Sequence, residues 1–128
     1  MRVSFGFIIA AALLAAGPAF AQDGATLFAQ SCAACHQPMG QGIPGAFPAL
    51  AKSTFVQGTP EQVAHVILNG RGGMPQFGGD LTDEQIALVA SYIRSSWGNK
   101  AAPLTTAQVA AERAAGALPA PVAGQQAH

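Results

Sequence analysis

Charge is scarce in this chain: only 9% of its 128 residues are Asp, Glu, Lys or Arg. No basic run occurs, which removes nucleic acid from the plausible partners. Cysteine is scarce as well, with two in the whole sequence. Two cysteines and a few scattered histidines make a poor zinc site. No convincing strand pattern appears and no segment repeats, so an α/β architecture has nothing to build on. Outside the N-terminus no stretch is apolar for long enough to cross a bilayer. What the chain does have is Gly and Pro, 15 and 9 respectively, so much of the backbone is loop. A chain so rich in loop and so poor in charge needs something bulky to fold around.

The N-terminus divides off first. Met1-Arg2 is a short basic start, Phe5 to Ala16 is nearly all apolar, and Ala19-Phe20-Ala21 has the small-x-small form of a cleavage site. Residues 1–21 therefore read as a secretory signal peptide, which places the mature protein in the periplasm. The apolar run falls short of the roughly twenty residues that a membrane anchor needs, so no transmembrane anchor is expected after cleavage. Losing Arg2 leaves Lys52, Arg71, Arg94, Lys100 and Arg113 against Asp23, Glu61, Asp80, Asp83, Glu84 and Glu112, a balance of one negative charge.

Residues 22–98 read as one all-α domain. Asp23 can cap a helix reaching Ala34, with Leu27 and Phe28 facing inward. Residues 37–58 are mostly loop, with Phe47, Leu50 and Phe55 as candidates to point inward. Thr59-Pro60-Glu61-Gln62 starts a second helix: Thr59 is the N-cap, Pro60 takes the first helical position and Gln62 completes a capping box. Val63, Val66 and Ile67 form its apolar side, and it ends near Asn69-Gly70. A second Gly-rich loop runs from Gly70 to Gly79 and contains Met74-Pro75. Thr82 opens the strongest helix, with Asp83 and Glu84 in the first turn and Gln85 closing another box. Ile86, Val89, Ile93 and Trp97 follow at helical spacing, with Leu88 and Tyr92 on an adjacent stripe, until Gly98. Residues 99–128 read as an Ala/Pro-rich tail. Within it Thr106–Ala115 suits a short surface helix, and Pro119–His128 has a disordered composition.

The chemistry sits in Cys32-Ala33-Ala34-Cys35-His36. Two thiols three residues apart can add to the two vinyl groups of a haem, and the imidazole beside them can reach the iron. A thioredoxin-like pair would need a preceding strand, and a plain disulfide is conceivable in an exported chain. The motif points instead to one covalently attached haem c, with His36 as proximal ligand. A haem c carrier needs a second axial ligand from elsewhere, or an open distal site. Met1 leaves with the signal peptide, and Met39 follows His36 too closely to reach the opposite face. Met74 lies 38 residues beyond His36 in a loop free to wrap round, where Pro75 favours extended backbone. His65, mid-helix among apolar residues, is the alternative and suits a packing or surface role better.

These residues resemble a class I cytochrome c over Gly24 to about Gly98. The resemblance implies that fold, with about three to four helices wrapped round the haem and long Gly/Pro-rich loops between them. In that family a Gly and a Phe stand eight and four residues before the first Cys and let two helices cross closely. Here they are Gly24 and Phe28, with Tyr92 or Leu88 as partners. The resemblance also assigns Pro48, twelve residues after His36, to accept the proton of the ligand's other ring nitrogen, and Leu50 to pack against the haem. Phe47-Pro48-Ala49-Leu50, Gly73-Met74-Pro75 and the segment from Tyr92 to Gly98 are similar to haem c domains in cytochrome subunits of periplasmic dehydrogenases, and to domains of respiratory oxidases. Its implied partners are redox proteins: a dehydrogenase, an oxidase or another cytochrome.

The expected function is thus single-electron transfer through a His36/Met74-ligated haem, not catalysis. An apolar shell of Phe28, Leu50, Ile67, Phe77 and Ile93 would favour the reduced state. Sparse charge predicts weak electrostatic steering and a largely apolar docking patch. Two rival readings are an enzyme or a peroxide or gas sensor with a labile Met74, and a small subunit held on a dehydrogenase.

Overall fold

The computed structural model describes residues 22–116. The expected signal peptide and the final twelve residues of the expected tail lie outside the described residues. Among the described residues five helices follow in chain order: α1 Gly24–Ser31, α2 Ala33–His36, α3 Pro60–Asn69, α4 Asp83–Ser95 and α5 Thr106–Ala115. The fold class is all-α as expected, and the count exceeds three to four because of α2 and α5. Among the described residues there is no named strand, only two isolated bridges, Ile43 with Phe47 and Arg71 with Met74. None of the described helices is long and apolar enough to cross a membrane.

Local chemistry explains most boundaries. The Asp23 carboxylate accepts the Thr26 amide at 2.7 Å and starts α1. The single helix expected to Ala34 is broken at Cys32, whose backbone opens to φ −123°, and one further turn then carries the chain to His36. Thr82 and Gln85 form the anticipated reciprocal box at the start of α4, and Thr105 with Gln108 repeats it on α5. At α3 only half the expected box forms. Thr59 Oγ1 accepts the Gln62 amide at 3.4 Å, while the Gln62 side chain lies near Gly58 instead.

Helix α4 is the spine. One side presents Val89 and Ile93 to Leu27 and Phe28 of α1 and to Val56. The other presents Ile86, Ala87 and Ala90 to Val63, Ala64, Ile67 and Leu68 of α3 and to Leu104 and Val109. The α1–α4 crossing is close because Gly24 has no side chain. A Cβ there would lie 2.7 Å from Tyr92 Cβ and collide with the Leu88 carbonyl oxygen. Beside that crossing, Phe28, Tyr92 and Trp97 form an aromatic triad with ring centroids 4.8 to 5.8 Å apart.

Three expectations about packing change. The stretch beyond Gly98 is partly core: Val109 is fully buried and Leu104 buried, so α5 packs as a working part of the domain and not as a surface helix on a tail. Phe47 and Phe55, expected inside, are 38% and 37% exposed. Phe47 closes the Ile43–Phe47 bridge on the outer side of its loop, and Phe55 lies beneath the Arg71 guanidinium at 5.4 Å. On α3 it is Ala64 and Leu68, not Val66, that join Val63 and Ile67 in the interior.

Candidate haem-binding site

The turn α2 sets the geometry of Cys32, Cys35 and His36. The His36 amide donates to the Cys32 carbonyl at 2.9 Å, and the Gln37 amide to that of Ala33. One helical turn therefore displays the motif, with Cys32 half-buried, Cys35 exposed and His36 buried. Burial first, and the neighbouring Cys35 second, push the Cys32 thiol up to about 11.

Residues 37–51 fold back over His36. The Gly42 amide donates to the His36 carbonyl at 2.9 Å, and the amides of Leu50 and Ala51 converge on the carbonyl of Gly40 at 2.7 and 2.9 Å. Gly40 is required here twice over. Its φ is +63°, and a Cβ would lie 2.5 Å from the Trp97 ring. This fold-back brings Pro48 to His36, where Nδ1 lies 2.9 Å from the Pro48 carbonyl oxygen. A carbonyl can only accept, so Nδ1 carries the proton and the lone pair of the neutral ring is left on Nε2. Leu50 is half-buried and packs, with Cys32, against the α1–α4 cluster. Within the fold-back a groove of about 350 Å³ runs along Gln41 and residues 44–49.

Asn99 is the fastener. Buried beyond the end of α4, its amide donates to the carbonyls of Leu50 and Ile93 at 2.8 and 2.9 Å, and its oxygen accepts the Ser53 amide at 3.1 Å. Arg94, 2% exposed, has a similar role: Nε donates to the Ala102 carbonyl and Nη1 to those of Val56 and Gly58, at 2.7 to 2.9 Å. Burial lowers the pKa of its guanidinium below the ordinary value, partly offset by Glu61. Sequence reasoning gave neither residue a role. The one available signal was a charged side chain directly beside the apolar stripe of α4.

Met74 lies half-buried on the far arm of a tight turn. Arg71 and Met74 exchange two backbone hydrogen bonds at 3.0 and 3.1 Å across Gly72 and Gly73, with Gly72 at φ +58°. Met74 joins neither core cluster. His65 is engaged elsewhere, its Nδ1 lying 2.7 Å from Glu112 Oε1.

The donor set fits a haem: two thiols on one turn, next to an imidazole whose tautomer exposes Nε2. A small helical domain built to hold such a turn against a folded-back loop is that of a covalent-haem protein. The sequence model of the family described as cytochrome c oxidase, cbb3-type, subunit III matches residues 19–93. A cytochrome c-552 of Thermus thermophilus is 42% identical over 103 residues, covering 68% of this chain and 69% of the relative. The gluconate 2-dehydrogenase cytochrome c subunit of Pantoea cypripedii is 36% identical over 100 residues, covering 68% of this chain and 23% of that much longer relative. Among solved structures, cytochrome c6 from the diatom Phaeodactylum tricornutum superposes with a TM-score of 0.50 at 35% identity, covering 58% of this chain and 90% of that one. The chain belongs to the cytochrome c family, as a single-haem class I c-type cytochrome. It carries one covalently attached haem c and is an electron carrier, not an enzyme.

Proposed function

We propose that Cys32 and Cys35 carry the two thioether links, that His36 and Met74 are the axial ligands, and that the protein shuttles single electrons in the periplasm. When bound, the haem supplies the one-electron couple. The protein supplies orientation, potential and access. The hydrogen bond from His36 Nδ1 to the Pro48 carbonyl carries this reading, because it fixes the ring plane and makes Nε2 a better donor. Leu50 adds apolar surface on the same loop. A thioether from Met74 would raise the potential above that of a second imidazole, and two axial ligands would leave no position for a substrate.

The signal-like N-terminus supports export. Relatives named as cytochrome subunits of gluconate, alcohol and fructose dehydrogenases support a dehydrogenase as donor, with a respiratory complex as the other candidate partner. This chain spans 22–23% of their length. The same relatives favour a second reading, in which the protein stays bound to a dehydrogenase as a small subunit. Docking would use the exposed apolar side chains Met39, Ile43 and Phe47 with little electrostatic steering.

Met74→Ala in the holoprotein tests the ligation. It should abolish the weak far-red absorption of thioether-ligated ferric haem and lower the reduction potential. An unchanged spectrum would remove Met74 from the site. Co-purification with a dehydrogenase that persists through gel filtration would favour the bound subunit over the free carrier.

A further inference from the structure

The family match ends at residue 93, yet α5, beyond it, is tied into the molecule at two places. One tie is the His65–Glu112 pair, which joins α5 to α3 at 2.7 Å. The other is Arg113. Its Nε donates to Asp83 Oδ1 at 2.7 Å, Nη1 to the Gly78 carbonyl at 2.5 Å and Nη2 to the Leu81 carbonyl at 3.1 Å. Two of these acceptors, the Gly78 and Leu81 carbonyls, lie at the C-terminal end of the loop that bears Met74, and the third, Asp83, opens α4 directly after it.

That loop needs fastening. Between Gly70 and Thr82 it contains Gly70, Gly72, Gly73, Gly78 and Gly79, which makes its ordered state costly in conformational entropy. Its first arm is held by the Arg71–Met74 hydrogen bonds and by Arg71 stacking on Phe55. On its second arm, the amides of Phe77 and Gly78 donate to the carbonyls of Ile67 and Leu68, each at 3.0 Å. The Arg113 fork then spans Gly78 and Leu81 and fixes both to the first turn of α4.

We infer that Arg113 is a positioning residue for Met74, setting from outside the shared family segment how firmly the loop presents its thioether to the iron. This role rests on ligation by Met74 as proposed above. Lysine cannot substitute, because a single ammonium lacks the planar fork that meets three acceptors at once. Gluing α5 in place is a different role, and the His65–Glu112 pair performs it without touching residues 78–83.

Imidazole titrated into the ferric holoprotein, followed optically, separates these roles. Arg113→Gln should bind imidazole roughly tenfold more tightly than wild type, since losing a charge-assisted bond raises the population of the open loop by about that factor. Arg113→Lys and Asp83→Asn should shift the affinity in the same direction by less. Glu112→Gln should leave the affinity unchanged even where thermal denaturation shows α5 loosened. Unchanged affinity in Arg113→Gln and Asp83→Asn, or an equal gain in Glu112→Gln, overturns the assignment. Met74→Ala must bind imidazole more tightly than any of these variants. If it matches wild type, ligation by Met74 is refuted directly, an outcome distinct from failure of the Arg113 variants alone.

Discussion

One methyl group added at Gly24 should measurably destabilise the protein. The Cβ of Gly24→Ala would sit 2.7 Å from Tyr92 Cβ and closer still to the Leu88 carbonyl oxygen. Carbon atoms in ordinary contact stay about 3.5–4.0 Å apart, so α1 must back away from α4 by roughly 1 Å. Neither neighbour can yield alone, since one is backbone and the other is the root of a side chain in the aromatic triad. Overpacking of this kind costs about 1–3 kcal/mol. Alanine's advantage over glycine in a helix interior, about 1 kcal/mol, applies weakly at the first residue of α1. The expected net loss is about 2 kcal/mol, or roughly 10 °C in Tm for a domain of this size. Gly79→Ala is the matched control, because nothing lies within 4 Å of its Cβ, and it should be neutral or slightly stabilising. Thermal and guanidinium denaturation of the holoproteins, followed by circular dichroism, would measure both. A Gly24→Ala protein as stable as wild type would refute the close-crossing account.

Asn99→Ala removes three hydrogen bonds and leaves the Ser53 amide and the Leu50 and Ile93 carbonyls without their partner. A loss of about 2–4 kcal/mol is expected by denaturation. Val109→Ala should cost about 1–3 kcal/mol, because Val109 is fully buried in the α3–α4 cluster and its deletion leaves a cavity; a change below about 0.5 kcal/mol would return α5 to the surface. Asp23 governs an acid limb. The hydrogen bond from the Thr26 backbone amide lowers its pKa from 3.8, so its stabilising effect is complete above that value and is lost as pH falls through the lower folded value. Asp23→Asn keeps a capping group that does not titrate, so the stability difference between wild type and variant should shrink below about pH 4. A difference that is constant across that range, measured by denaturation, would mean the cap is not acting through its charge.

Much of the site is legible locally. The Cys-Ala-Ala-Cys-His turn and the N-caps at Asp23, Thr59 and Thr82 follow from residues close in sequence, whereas the close approach at Gly24 and Phe28 was legible only through family resemblance. The physics of the turn and the caps, hydrogen bonds within one helical turn, depends on a few neighbours. The spacing from His36 to Pro48 was legible through family resemblance, and the fold-back that realises it comes from the amides of Gly42, Leu50 and Ala51.

Other features needed the chain to close on itself. Arg94 in a core reads as an error until three carbonyls from two distant loops are brought round its guanidinium to offset desolvation. Asn99 and Arg113 resemble polar tail residues until partners as far as 49 and 35 positions away are in place. Alanine-rich α5 has a weak apolar side, so only the buried packing of Val109 and Leu104 against α3 and α4 shows that it belongs to the core. The sequence by itself determined the haem-binding turn and the helix starts, because each depends on short-range geometry. Tertiary structure alone decided which polar groups are buried and what fastens the Met74 loop, because a lone donor or acceptor acquires its meaning from partners that folding brings to it.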